Sequence, residues 1–121
     1  MFSLISCASF SLAKHINRKN EDSVLLPIHV NNGYLFAVAD GVGSYEGAKE
    51  ASNIATNFLM TLERKLEKST SKELDIKSIL NSIKSKIETL SNENIALKDA
   101  ATTLTFCYVD QYGMRIGHIG D

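Results

Sequence analysis

The stretch at residues 35–52, LFAVADGVGSYEGAKEAS, changes its pattern twice. A run of small and apolar residues, typical of a buried strand, leads into Asp40 and a glycine-rich turn. From Glu46 onward, apolar residues recur every three or four positions, as they do on the buried stripe of an amphipathic helix. The stretch therefore predicts a strand, a turn and a helix, with a carboxylate at the junction.

The residues before this stretch predict further strands. Residues 23–30 and 34–39 have strand composition and are joined by the sequence Asn31 to Gly33, which favours a tight hairpin turn. Pro27 indicates that the first of these strands lies at a sheet edge or carries a bulge. Apolar residues alternate between Phe2 and Leu12, and this period of two predicts another strand before the hairpin.

The residues after it predict helices and then a second hairpin. The helix that begins at Glu46 is expected to run to about Lys68. Thr70 and Glu73 have the spacing of a capping box for a second helix, whose apolar residues repeat at steps of four and three. Residues 103–110 and 114–121 predict the hairpin. Because the strands are grouped and do not alternate with helices, the order indicates an α+β fold, an antiparallel sheet with two long antiparallel helices on one face.

The composition is that of a single globular domain, with 121 residues, 44% of them hydrophobic and 22% charged. A formal net charge of −1 offers no basic excess for binding nucleic acid. No apolar run reaches the roughly 20 residues that span a bilayer. Cys7 and Cys107 lie in apolar runs without CxxC spacing, so we expect reduced core thiols in a cytoplasmic protein.

Two acidic clusters stand where predicted strands begin and end. Glu21 and Asp22 precede the first strand of the hairpin, and Asp40 follows the second. If the strands pair, the three carboxylates lie within a few ångströms of each other, and a hard cation such as Mg²⁺ or Mn²⁺ would offset their charge. Gly41 would let its carbonyl approach a metal closely. The alternative is that Asp40 begins a turn or caps the helix, while the other two acids are solvated loop residues.

Four segments occur in an informative order: NED at 20–22, FAVADGVGSYEGAKEAS at 36–52, AATTLTFCYVD at 100–110 and GHIGD at 117–121. Together they resemble the metal-dependent protein phosphatases of the PPM, or PP2C, family. The resemblance implies a β-sandwich flanked by α-helices, with residues 1–121 forming the amino-terminal part of one such domain. It also implies hydrolysis of phosphoserine and phosphothreonine in proteins, without a phosphoenzyme.

The resemblance assigns roles to individual residues. Asp40 is similar to the carboxylate that bridges two Mg²⁺ or Mn²⁺ ions, and Gly41 to the carbonyl ligand beside it. Glu21 is similar to a ligand of the second ion, Asp22 to an acid that orients bound water, and Asp121 to an aspartate associated with an additional metal. In the family, a water or hydroxide held between two ions attacks the phosphorus, and the metals neutralise charge on the phosphoryl oxygens.

Some positions depart from the family pattern. Asn17 stands where bacterial members carry the arginine that binds the substrate phosphate, and a bulge would let Arg18 serve instead. Val42 stands where many eukaryotic members carry a histidine. The chain stops at Asp121, whereas the family continues over about as much sequence again, including the later aspartates of the first metal's shell. We therefore expect a domain truncated after the GD motif.

Two functions remain open from the sequence. The chain is either the amino-terminal half of an active phosphatase that acts on phosphorylated proteins, or a non-catalytic module derived from one. Such a module would bind phosphoproteins or pair with a separately encoded carboxy-terminal half. We expect neither nucleic acid nor membrane among its partners.

Overall fold

A computed structural model of the chain describes residues 3, 6–63 and 74–120. The described strands form an antiparallel sheet in the order β1-β2-β4-β5, with β3 paired to the end of β2, and two helices complete the predicted α+β arrangement. The elements in chain order are β1 (Asp22–Val30), β2 (Gly33–Val42), α1 (Tyr45–Met60), α2 (Ile76–Glu93), a 3₁₀ helix (Ile95–Leu97), β3 (Ala101–Thr102), β4 (Leu104–Asp110) and β5 (Gly113–Ile119).

The predicted hairpin of β1 and β2 is confirmed. Asn31 adopts a φ of 53°, the left-handed conformation that a tight turn between twisted strands requires. Pro27 lies in a strand at the sheet edge, and the register shifts between Leu25 and Ile28, so both features that the proline predicts are present. The hairpin therefore forms from local sequence signals.

The hydrophobic core lies between the sheet and the two helices. Alternate residues of β2 and β4 point into it, since side chains of a strand alternate between its two faces. On α1 the predicted stripe is buried, and its alanines let the helix backbone approach the sheet closely. The main members from β2, β4 and α1 are Leu35, Ala37, Ala39, Leu104, Phe106, Tyr108, Ala48, Ala51, Ala55 and Phe58.

The helix ends differ from the predicted ones. α1 ends at Met60, Leu62 and Glu63 are again helical, and the predicted continuation to about Lys68 lies outside the described residues. The predicted capping residues Thr70 and Glu73 lie outside the described residues. α2 begins at Ile76, after an Asp75 carboxylate that accepts from the Ser78 N–H at 3.0 Å. None of the described helices is both long enough and apolar enough to cross a membrane.

The predicted strand before β1 is wrong over the part that the structure describes. Residues 6–13 form no strand, and Phe10 and Leu12 are 89% and 79% exposed. An alternating pattern makes a strand only where a neighbouring strand supplies hydrogen-bond partners, and none of the described strands pairs with this segment. Cys7, expected in the core, is consequently exposed, whereas Cys107 is buried, and both are free thiols.

The second sheet of the predicted sandwich is not among the described elements. The face of the sheet that points away from the helices carries apolar side chains, because the strands are apolar on both faces. Val38 on β2 and Ile116 on β5 are 56% and 58% exposed there. Within the described residues, the fold is thus a sheet with helices on one face.

Candidate active site

The hairpin places two of the predicted acidic residues opposite each other. Asp22, the first residue of β1, pairs in register with Asp40 near the end of β2. Glu21 directly precedes β1, and the three acids line one cleft with a volume of about 480 Å³. The prediction that the two acidic clusters meet at one end of the sheet is confirmed.

The carboxyl groups in this cleft influence each other's protonation. Loss of hydration raises the pKa of Asp22 above its ordinary value, and a hydrogen bond with the Asp40 carboxyl and the charges of Asp40 and Glu21 raise it further. Lys49 on α1 opposes this rise in pKa, and its ammonium donates to the Asp22 carbonyl at 3.4 Å. The site therefore holds more negative charge than its nearest lysine offsets.

Asp22→Asn is expected to stabilise the protein in the absence of metal near pH 7. A raised folded-state pKa means that Asp22 stabilises the fold below its unfolded pKa of about 3.9, and that this contribution is lost as the pH rises through the higher folded value. The asparagine stays neutral at every pH. Relief of an exposed like-charge contact, about 0.3–0.5 kcal/mol, should raise the melting temperature by roughly 1–4 °C.

Thermal melts followed by circular dichroism in EDTA check this prediction. The difference between variant and wild type should disappear near pH 3.5, where Asp22 itself is protonated. Asp110→Asn serves as the matched control at another strand end, where the side chain accepts from the Tyr112 N–H. A difference that persists unchanged at low pH would contradict the explanation.

Three hydrogen bonds hold the backbone of Asp40 in place. Its carbonyl accepts from the Thr103 N–H at 2.9 Å and from the Thr102 hydroxyl at 3.1 Å, and its own N–H donates to the Thr103 hydroxyl at 3.2 Å. Thr102 is the last residue of β3, and Thr103 connects β3 to β4. Because these bonds fix the backbone of Asp40, they also position its side-chain carboxylate. Both threonines lie in the motif AATTLTFCYVD at residues 100–110, but the motif alone predicts no role for them.

Gly41 is explained by close packing of the backbone. Its N–H donates to the Glu21 carbonyl at 3.3 Å. A Cβ on this residue would overlap the Ala48 carbonyl oxygen of α1 and lie 2.7 Å from the Glu21 carbonyl oxygen. Only glycine lets β2, α1 and the residue before β1 come together here. The role of its carbonyl as a metal ligand stays a prediction.

Glu21 is anchored through its main chain, which leaves its carboxylate in the cleft. Its carbonyl accepts from the hydroxyl of Ser52, a fully buried residue of α1, at 2.7 Å and from the Gly41 N–H. Its carboxylate forms an ion pair with the Arg18 guanidinium at 2.9 Å. The predicted phosphate-binding arginine therefore lies in the same cleft as the predicted metal ligands, paired with one of them.

The chemistry of the cleft suits a hard divalent cation. Its donors are carboxylate oxygens. Loss of hydration is the main reason for the raised pKa of Asp22, and the negative charges of Asp40 and Glu21 raise it further. Within the described part of the chain, however, no group of three histidine, cysteine, aspartate or glutamate side chains is arranged to hold a metal ion. Asp121, the remaining predicted ligand, lies outside the described residues. A metal at Glu21 would require its carboxylate to leave Arg18.

Two of the three histidines, His118 and His29, have partners outside the acidic cleft. His118 on β5 bonds to the Thr105 hydroxyl through Nδ1 at 2.7 Å and lies 3.2 Å from the Gly120 carbonyl through Nε2. The His29 ring packs on Tyr34 across the hairpin. Neither of them lines the acidic cleft.

Comparison with known proteins agrees with this geometry. The family model described as protein phosphatase 2C matches residues 13–121. The crystal structure of the Mycobacterium tuberculosis serine/threonine phosphatase PstP/Ppp is similar, with a TM-score of 0.63 at 24% sequence identity, over 94% of this chain and 46% of that one. At this identity the likeness shows the fold alone, and this chain spans less than half the length of that phosphatase. No curated protein matches.

Proposed function

This chain belongs to the protein phosphatase 2C family, and we propose that its acidic cleft takes part in metal-dependent hydrolysis of phosphoserine and phosphothreonine in proteins. The observation that carries the proposal is the pairing of Asp22 with Asp40 across the hairpin, with Glu21 and Arg18 in the same cleft. Acidic ligands for a cation and a guanidinium for a phosphate are the two groups that such a reaction needs.

The proposal assigns metal binding to the acidic residues. Asp40, Glu21 and the Gly41 carbonyl would hold Mg²⁺ or Mn²⁺, with Asp121 near an additional ion. Bound metal would lower the pKa of a water molecule and neutralise charge on the phosphoryl oxygens. The Asp22 carboxyl would accept a hydrogen bond from that water and so orient it. The repulsion between Asp22 and Asp40 supports this assignment, because a cation would relieve it.

Arg18 would bind the phosphate of the substrate. A guanidinium can donate two parallel hydrogen bonds to phosphate oxygens, which fixes orientation as well as charge. Its ion pair with Glu21 is thus a contact between the predicted phosphate-binding residue and a predicted metal ligand. We propose that Glu21 and Arg18 exchange partners on loading, the carboxylate turning to the cation and the guanidinium to the phosphate.

Arg18→Ala is accordingly expected to have opposite effects on two ligands. Mn²⁺ should bind more tightly, by about 1.5- to 5-fold, because the exposed ion pair that competes for Glu21 is removed. Inorganic phosphate should bind more weakly. Isothermal titration measures both affinities. Lys84→Ala, which removes the exposed ion pair with Glu88 on α2, is the matched control and should change neither. Weaker Mn²⁺ binding in Arg18→Ala would contradict the exchange of partners.

Hydrolysis by the purified 121-residue chain tests the proposed function. We expect release of p-nitrophenol from p-nitrophenyl phosphate and of phosphate from a phosphoserine peptide in the presence of Mn²⁺. EDTA should abolish both activities, and added Mn²⁺ should restore them. A well-folded monomer that hydrolyses neither substrate would show that this chain is not an enzyme by itself.

The second candidate function is a non-catalytic module that binds phosphoproteins or pairs with a separately encoded partner. It is favoured by Asn17, which stands where bacterial members of the family carry the arginine that binds the substrate phosphate. Binding of a phosphoserine peptide without turnover would identify it. We propose a cytoplasmic location for either candidate, in keeping with the two free thiols.

A further inference from the structure

The residues before β1 form a loop whose two ends are tied together. The Asn20 side-chain amide donates to the Ser11 hydroxyl, and its Oδ1 accepts from the Asp22 N–H at 3.0 Å. Within the loop, the Arg18 N–H donates to the His15 carbonyl at 3.1 Å and closes a turn. We call residues 11–20 the basic loop. The hydrogen bond between Asn20 and the Asp22 N–H connects the basic loop to the end of the sheet where the acidic residues lie.

The basic loop brings three cations to the acidic cleft. Lys14, Arg18 and Lys19 line the cleft together with the three acids. The proposed function uses the acids and Arg18, and it gives no role to Lys14 or Lys19. Both lysines are exposed at the cleft, so a ligand that enters it from solvent comes near their positive charges. An ammonium is a compact charge without a preferred plane, so it recognises the charge of a ligand more than the geometry of its oxygen atoms.

We propose that Lys14 and Lys19 select phosphorylated segments that carry an acidic side chain next to the phosphorylated residue. This inference rests on the proposed function for the phosphate itself. A residue one or two positions from the phosphorylated one lies about 3–7 Å further along an extended peptide. A side chain that close to a phosphate in the cleft would lie near the lysines that line the same cleft. Charges attract or repel over a screening length of about 8 Å at physiological salt, so the lysines would attract a glutamate at such a position and repel a lysine.

Each lysine should contribute a modest preference. Exposed ion pairs change an equilibrium about 1.5- to 5-fold, so we expect the chain to favour a glutamate-flanked peptide over an alanine-flanked one by about two- to 25-fold with both lysines acting. The preference should be lost at about 1 M salt, where the screening length falls to about 3 Å.

Three phosphoserine peptides that differ only in flanking glutamate, alanine or lysine residues test the inference. Their dissociation constants are measured by fluorescence anisotropy in EDTA, where no turnover is needed, and kcat/KM is measured with Mn²⁺. The variants are Lys14→Glu and Lys19→Glu, with Lys14→Ala as a milder change. Lys77→Glu, at an exposed lysine in the first turn of α2, is the charge-matched control. Circular dichroism verifies that each variant is folded.

The expected result is that wild type and Lys77→Glu bind the glutamate-flanked peptide best, whereas Lys14→Glu and Lys19→Glu lose or reverse this order. Hydrolysis of p-nitrophenyl phosphate, which has no flanking residues, measures the effect of the lysine variants on the phosphate alone, and the change in order among the three peptides should exceed that effect. Equal affinity of the wild type for the glutamate- and alanine-flanked peptides would overturn the inference, as would an equal effect of Lys77→Glu. Absence of hydrolysis with the charge preference intact would count against the catalytic proposal alone.

A further variant tests the basic loop without altering its charge. Asn20→Ala removes the contact with Ser11 that ties the ends of the loop together. We expect the charge preference to fall toward unity, because the lysines would no longer be held at the cleft. A preference fully retained in this variant would show that loop closure does not position them, and would contradict that part of the inference.

Discussion

Asp40→Asn is expected to reduce Mn²⁺-dependent hydrolysis of p-nitrophenyl phosphate by at least about a hundredfold, since loss of even an outer-shell partner of a metal costs about 10- to 100-fold. An amide cannot supply the negative charge that a bridging ligand requires. The fold should be unaffected, because the bonds to Thr102 and Thr103 that hold this position use only the backbone of Asp40. Loss of hydration is the main reason for the raised pKa of Asp22, and the substitution removes the further contribution of the Asp40 carboxyl.

Two measurements make this prediction specific. Mn²⁺ affinity, measured by isothermal titration, should fall together with activity, whereas the melting temperature in EDTA should stay level or rise. Asp110→Asn is the isosteric control at the end of β4 and should keep both activity and affinity. An Asp40→Asn protein with full activity would exclude Asp40 from catalysis. If both wild type and variant bind phosphopeptide without hydrolysis, the non-catalytic module is the better description.

Gly41→Ala is expected to destabilise the protein by about 2–4 kcal/mol, a large part of the total stability of a small domain. The added methyl group would overlap the backbone of Ala48 and crowd the Glu21 carbonyl, and backbone atoms within packed elements cannot move aside as a side chain can. Relief would require α1 to shift from the sheet. Urea denaturation followed by circular dichroism measures the loss.

Gly113→Ala is the matched glycine control. Gly113, in the turn between β4 and β5, has a φ of 140° and no atom within 4 Å of an added Cβ. Backbone strain alone should cost about 1–2 kcal/mol there. If Gly41→Ala costs no more than Gly113→Ala, the close approach between β2 and α1 adapts easily, and packing does not explain the glycine.

Local patterns predicted most of the fold. The turn at Asn31, the edge position and bulge at Pro27, and the buried stripe of α1 all follow from rules that act over a few residues. The apolar alternation before β1 follows the same rules, but it makes no strand within residues 6–13. An alternating pattern indicates which side chains could lie on the same face of a strand. A strand also needs a neighbouring strand to pair with through backbone hydrogen bonds, and the pattern does not show whether one is present.

The meeting of Asp22 and Asp40 follows from the local sequence. Their strands are joined by a tight turn, so the pairing of a short hairpin is enough to bring them into register. The acidic pattern before the hairpin also made Glu21 a candidate, and the family motifs added Arg18, but neither showed that the two residues pair with each other.

How those residues are held depends on contacts between segments that are far apart in the chain. The threonines that fix Asp40 are more than sixty residues away along the chain, and Ser52, which anchors Glu21, reaches it from a helix packed against the sheet. Gly41 is needed because that helix lies against it. Such contacts depend on the assembled core, which brings distant backbone atoms together, and no local period in the chain records them.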